Sequence, residues 1–302
     1  MKREQVLGGI LGLCIGDALG VPFEGRSREE MHNLGKNIEK SYRGLWSDDS
    51  SLTLCLAQSL CEGFDLSDLA QRFIRWLDEG YMTPQGSAFG IGRTTYMAIN
   101  NLKKGAGLKH CGLTDEYSNG NGSLMRILPM AFYCFNMDEQ ERFDLVSRVS
   151  ALTHAHPRSV LACCVYTQLA TELISQQDKG IAYRKMKKVI KKYFSGDSQL
   201  PYFKSILESD ISTLDREDIG AGGYVVESLE ASIWCFLRHT DYTDTVMEAI
   251  RLGQDADTTA AEAGGLAGMF YGVDSIPGKW QEGLARKEDI LDIANNLWKS
   301  LG

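Results

Sequence analysis

Almost every informative segment of this 302-residue chain repeats its apolar positions with the period of an α-helix rather than alternating like a strand. Leu52, Cys55, Leu56, Ser59 and Leu60 follow the i, i+3, i+4, i+7, i+8 pattern, and Leu69, Phe73, Trp76 and Leu77 mark one face of a helix over 66–77. The same period predicts helices at 3–19, about 94–102, 139–152, 159–174, 181–194, 225–237, 243–252, 258–271 and 288–298. A further apolar run, 124–135, follows a Gly/Asn-rich loop, and 195–223 is the least regular portion. No linker or short repeat divides the chain, so the expectation is one all-α domain over 1–302 with about a dozen helices.

Within that frame Gly253-Gln254-Asp255-Ala256-Asp257-Thr258-Thr259 places two carboxylates two residues apart, then hydroxyls, then an unusually small-residue helix from Ala260 to Met269. The first helix also carries several glycines, which implies close packing on its neighbours. Ser47-Asp48-Asp49-Ser50 repeats the carboxylate and hydroxyl chemistry far upstream. Each cluster precedes a helix and suits a cap at the positive end of the helix dipole. Two adjacent acids at one cap and an Asp-x-Asp-Thr at another exceed what capping requires. Brought together they form a hard-oxygen ligand set for Mg²⁺, Mn²⁺ or Ca²⁺, and without cations they repel one another.

A net charge of −8 argues against a nucleic-acid binder that relies on a broad basic surface. The eight cysteines include no CxxC pair and mostly lie in apolar stretches, which favours a reducing cytoplasm over a disulfide framework or zinc site. Lys2-Arg3 before Val6–Ile15 has the look of a signal peptide, but Asp17 interrupts and the apolar run reads as too short to span a membrane. The basic segment 184–192 keeps helical spacing at Met186, Val189 and Ile190 and reads as a solvated helix face, with docking of an acidic partner as the other reading.

Two loops, Asn119-Gly120-Asn121-Gly122-Ser123 and Gly220-Ala221-Gly222-Gly223-Tyr224, each precede an expected helix and offer backbone N–H groups to an anion. Neither has Walker A or dinucleotide-binding spacing, and a plain turn explains each equally well. Glu24 lies in the loop after the first helix. His154 and His156, two residues apart, point apart on a helix, so one is read as a ligand contact and the other as a helix-start residue beside Pro157.

The ordered set of these pieces resembles the ADP-ribosylglycohydrolase family, which includes dinitrogenase reductase-activating glycohydrolase. It runs from Gly16-Asp17-Ala18-Leu19-Gly20 with Glu24 through Trp46-Ser47-Asp48-Asp49-Ser50, Gly92-Arg93-Thr94-Thr95, Asn119–Arg126 and Thr153-His154 to Gly222–Glu227 and Gly253–Thr258. The resemblance implies an orthogonal all-α bundle with two divalent cations, Mg²⁺ or Mn²⁺, held by Ser47, Asp48, Asp49, Asp255, Asp257 and Thr258. It implies Asp49 and Glu24 as catalytic candidates. Asn119, Gly120, Gly122, Ser123, Met125, His154, Gly222, Gly223 and Tyr224 would line a groove for ADP-ribose. Ser47 and Ser50 stand where the family often has threonine, and Gly90 stands where the activating-glycohydrolase branch commonly has aspartate. The implied reaction is hydrolysis of the bond between ADP-ribose and a protein side chain, foremost arginine, by a cytoplasmic monomer acting without nucleic acid or membrane. O-linked substrates, such as ADP-ribosyl-serine or O-acetyl-ADP-ribose, and a non-catalytic member of the fold are the alternatives.

Overall fold

The computed structural model describes the backbone of residues 1–302 and the side-chain surroundings of all but 35–37. Among the described residues there are fifteen α-helices and no strands. In chain order they are α1 (Arg3–Gly20), α2 (Arg28–Leu34), α3 (Asp48–Cys61), α4 (Leu66–Glu79), α5 (Arg93–Lys103), α6 (Pro129–Tyr133), α7 (Glu139–Ala151) and α8 (Pro157–Ser175). They continue as α9 (Lys179–Tyr193), α10 (Lys204–Leu207), α11 (Val225–Arg238), α12 (Tyr242–Arg251), α13 (Ala256–Tyr271), α14 (Gly278–Gly283) and α15 (Lys287–Ser300). The long helices fall where the periodicity predicts them. Short α2 and α14 were not predicted, because six or seven residues carry too few turns to show a period.

The centre of the molecule is the pair α1 and α13. Gly8, Gly12, Gly16 and Gly20 recur every fourth residue on α1 and meet Gly268, Gly264, Ala260 and Asp257 of α13. A Cβ at Gly16 would lie 2.1 Å from the Ala260 carbonyl oxygen, and one at Gly8 2.1 Å from that of Gly268. The two backbones therefore touch directly, which only residues without side chains permit. Helix α1 is apolar all round and buried along most of its length, with α15, α3 and α12 also against it. Here the structure corrects the sequence reading: Arg3–Phe23 is long and apolar enough, at a mean hydropathy of 1.8, to cross a membrane. However, 89% of that apolar window is packed inside the protein.

Two local expectations also change. The run 124–135 is not one helix, because 122–127 forms tight turns in which the Leu124 and Met125 N–H groups both bond the Asn121 carbonyl. Pro129 has no N–H with which to continue a ladder through that point, so only α6 follows. At α13 the cap position is Asp255, without a side-chain cap bond, and Asp257 lies inside the first turn. Elsewhere the local signals hold. Ser47 caps α3, Asp65 caps α4 through the Ser67 and Asp68 N–H groups, and Gly80 closes α4 at a left-handed φ of 69°. His156 caps α8 with Pro157 at its first position, which fills the helix-start role expected of one histidine of the pair.

Candidate active site

The glycine seam fixes the site's floor. Gly20 lies against the Asp257 backbone, where a Cβ would come within 2.3 Å of the Asp257 Cα, so the end of α1 sits on the start of α13. That contact brings Asp17 beneath the start of α3. The Asp17 carboxylate accepts from the Ser47 N–H at 3.0 Å, the Ser50 N–H at 3.0 Å and the Ser50 hydroxyl at 2.5 Å. A buried acid of α1 thus anchors the N-terminus of α3 and aims the Asp48 and Asp49 side chains toward α13.

The result is a cavity of about 290 Å³ ringed by the starts of α3, α5, α11 and α13. Of the residues expected from sequence, Glu24, Asp48, Asp49, Gly120, Gly122, Met125, His154, Gly223, Asp255, Asp257 and Thr258 line it. Two hundred residues of chain separate the two acidic clusters, and they meet here. The lining also takes in Asn121, a member of the expected anion-binding loop, and Gly90, Arg93, Thr95 and Tyr117, to which the sequence reading assigned no binding role. Arg93 and Thr95 belong to a motif piece that was noticed, so the signal was present. Tyr117, 89% exposed at the rim, lies in a segment with no distinguishing pattern.

Five expected residues stand outside the lining. Ser47 faces Asp49, accepting from its N–H at 3.3 Å and donating its hydroxyl to Oδ2 at 2.8 Å. Asn119 bonds the Glu116 carbonyl and the Ser159 hydroxyl, and Ser123 accepts from the Ser150 hydroxyl at 2.9 Å. These two hold the loop in place from behind. The Gly222 N–H reaches Glu227, while Tyr224 stacks toward Arg158, 6.0 Å from its ring centre. The two glycine-rich loops pair with each other, through Asn121 N–H to the Gly223 carbonyl at 3.1 Å and Val225 N–H to the Asn119 carbonyl at 3.0 Å. Among the described residues the Gly122 and Ser123 N–H groups have no protein acceptor.

The acids are under strain of charge. Burial, then the neighbouring Asp49, pushes the Asp48 carboxyl well above the ordinary carboxylate range; burial, then Asp17, does the same to Asp49. Asp257 is raised by burial and by Asp49. Carboxylate oxygens of Asp17, Asp49 and Asp257 lie within 4.8 Å of one another. Asp49 Oδ1 is buried with no hydrogen-bond partner, a costly state for an isolated carboxylate. Converging hard oxygens with an orphaned buried one fit a divalent cation. Asp17, with its oxygens already occupied by α3, positions the others. Asn121 donates to Asp255 Oδ2 at 2.8 Å and to the Ser228 hydroxyl, which in turn donates to buried Glu262, so the fourth acid is also held from behind.

Gly90 adopts a left-handed φ of 75°, and a Cβ there would lie 2.7 Å from Asp48 Oδ1. An aspartate at this position would press a further carboxylate onto Asp48; glycine leaves that side of the cavity open.

The comparisons agree with this geometry. The ADP-ribosylglycohydrolase family model matches residues 1–302. The chain is 30% identical to "ADP-ribosylarginine hydrolase Tri1" of Pseudomonas putida, covering 98% of this chain and 78% of that protein. It is 26% identical to "ADP-ribosyl-[dinitrogen reductase] glycohydrolase" of Rhodospirillum rubrum, covering 94% of this chain and 92% of that one. A solved structure titled "ADP-ribosylglycohydrolase-related protein complex" superposes with a TM-score of 0.79 at 29% identity over 99% of both chains. With its acids, loops and glycine seam in this arrangement, the chain belongs to the ADP-ribosylglycohydrolase family of enzymes.

Proposed function

We propose that this enzyme hydrolyses the N-glycosidic bond between ADP-ribose and protein arginine side chains, with divalent cations bound among Asp48, Asp49, Asp255, Asp257 and Thr258. The observation that carries this reading is the convergence of those residues with Glu24 and the paired glycine loops in one cavity. The relatives named as ADP-ribosylarginine hydrolases support arginine as the acceptor. Bound Mg²⁺ or Mn²⁺ supplies Lewis-acid orientation of a ribose diol and water. The chain's own groups do the rest. The Gly122 N–H, in the cavity lining, suits the diphosphate, as backbone donors do where side-chain cations are few. The Ser47 hydroxyl orients the Asp49 carboxylate through Oδ2, and Asp49 is the group that would take a proton from the attacking water.

Glu24 is exposed at the rim, and partial burial and the nearby Asp255 raise its pKa. It therefore retains a proton more readily than an ordinary glutamate and is placed to give it to the departing guanidine nitrogen. The C1″–N bond breaks, the water oxygen bonds C1″, and the transition state is oxocarbenium-like. The chain acts, on this reading, as a cytoplasmic monomer.

The test is ADP-ribose release from arginine-linked and serine-linked peptides in Mg²⁺, Mn²⁺ or EDTA. Release from the arginine linkage, lost in EDTA, is expected. Release from the serine linkage alone would reassign the acceptor, and release from neither would overturn the protein-arginine reading in favour of another ADP-ribosyl substrate, such as O-acetyl-ADP-ribose, or of a binding protein. A second outcome concerns the loop. A Cβ on Gly122 would lie 2.8 Å from His154 Cε1 and 2.9 Å from Thr95 Oγ1. Gly122→Ala is therefore expected to displace the imidazole and weaken ADP-ribose binding about tenfold, as calorimetry would show.

A further inference from the structure

His154 lies in the cavity wall on a chain of buried groups that decides which of its nitrogens carries the hydrogen. The Arg126 guanidinium, fully buried, can only donate, and its Nη2 donates to Thr153 Oγ1 at 2.7 Å. Thr153 is itself fully buried, and its Oγ1 lies 2.8 Å from His154 Nδ1. The hydroxyl has one hydrogen, and among the described residues Nδ1 is its one acceptor. A proton on Nδ1 would leave that hydroxyl hydrogen buried without a partner. Thr153 therefore donates to Nδ1, and the hydrogen of the neutral ring sits on Nε2.

Nε2 belongs to the cavity side. A Cβ at Gly120 would lie 3.6 Å from it and one at Gly122 3.3 Å, so both glycines leave the ring edge open to a ligand. Burial, then the charge of Arg126, holds the imidazole pKa down at about 3, which keeps the ring neutral near pH 7. Arg126 also donates to the Gly122 carbonyl and lies 4.9 Å over the Phe73 ring. One cation thus ties the glycine loop and the imidazole into a single unit.

We propose that Arg126 and Thr153 are positioning residues that fix the Nε2–H tautomer of His154, making this wall a hydrogen-bond donor to a phosphate or ribose oxygen. The identity of that ligand rests on the ADP-ribosyl reading above; the tautomer does not. A donor here discriminates, because a neutral ring of the other tautomer would present a lone pair to the same oxygen.

The experiment is a long-range ¹H–¹⁵N correlation spectrum of the full-length, ligand-free protein, with the His154 signals identified by their loss in His154→Asn. The wild type is expected to show Nε2 protonated and Nδ1 bare. Thr153→Val, which keeps the volume and removes the hydroxyl, is expected to populate the Nδ1–H form and to weaken ADP-ribose binding about tenfold. Thr153→Ser is expected to restore both. Wild-type protein protonated at Nδ1, or Thr153→Val with an unchanged tautomer, overturns the proposal. Should Thr153→Val not fold, the wild-type spectrum decides it alone. An Nε2–H wild type that binds no ADP-ribose supports the tautomer and counts against the ADP-ribosyl reading.

Discussion

Asp257→Asn is expected to lower turnover by about 10³-fold or more while raising the melting temperature of the metal-free protein. The two effects have one cause. Asp257 is buried at the start of α13 beside Asp49, and burial and that neighbour raise its pKa well above the ordinary range. Such a group binds more protons folded than unfolded. Its contribution to stability is full below the unfolded carboxylate pKa of about 4 and is lost as pH rises through the folded value. At neutral pH without cations the cluster therefore works against the fold. An amide of the same shape removes one of the repelling charges, and each kcal/mol so recovered corresponds to roughly 2 °C at this size.

Thermal unfolding in EDTA at pH 5 and pH 7.5 separates the cases. The advantage of Asp257→Asn over wild type should be larger at pH 7.5 and shrink toward pH 5. Addition of Mn²⁺ should reverse the order, because a cation bound only by the folded wild type adds about 2.7 kcal/mol at a hundredfold excess over its Kd. A variant that is inactive and also less stable in EDTA at pH 7.5 would mean that Asp257 serves the fold and not a cation.

Gly16→Ala is expected to destabilise the protein by about 3 kcal/mol or more, seen as a fall in melting temperature of roughly 6 °C or greater. In an isolated helix the same change stabilises by up to about 1 kcal/mol, so the sign is set entirely by what lies opposite. Opposite Gly16 is the Ala260 carbonyl, 2.1 Å from the new Cβ, and backbone cannot rotate away as a side chain can. Since Gly16 precedes Asp17, separating α1 from α13 also moves the acid that anchors α3. Activity should therefore fall together with stability. Gly278→Ala, at the start of α14 with no atom near its added Cβ, is the control and should leave both close to wild type. Equal stability of Gly16→Ala and wild type would show that the two helices do not pack as closely as described.

How much of this was legible beforehand differs by length scale. The long helices, the cap at Ser47 and the proline start at Pro157 were readable because each depends on residues within one or two turns. The acidic residues were readable as a set because two clusters of buried-type hydroxyls and carboxylates exceed what capping uses. Asp17 is the informative omission. It lies in a noticed motif, but its work is to accept from Ser47 and Ser50, some thirty residues away, and no local pattern encodes that. Asn119 and Ser123 err the other way, since composition marked their loop and could not say which members turn inward.

The sequence by itself determined the long helices, the acids and the family, since helical period and ordered motifs are properties of neighbours along the chain. Only the tertiary structure decided that Gly20 rests on Asp257, that the two glycine loops pair with each other, and that Arg126 reaches Thr153 beside His154. Those outcomes depend on backbones from distant segments meeting at contact distance. The allowed approach is set by the shapes of both partners, and a single chain position records only one of them.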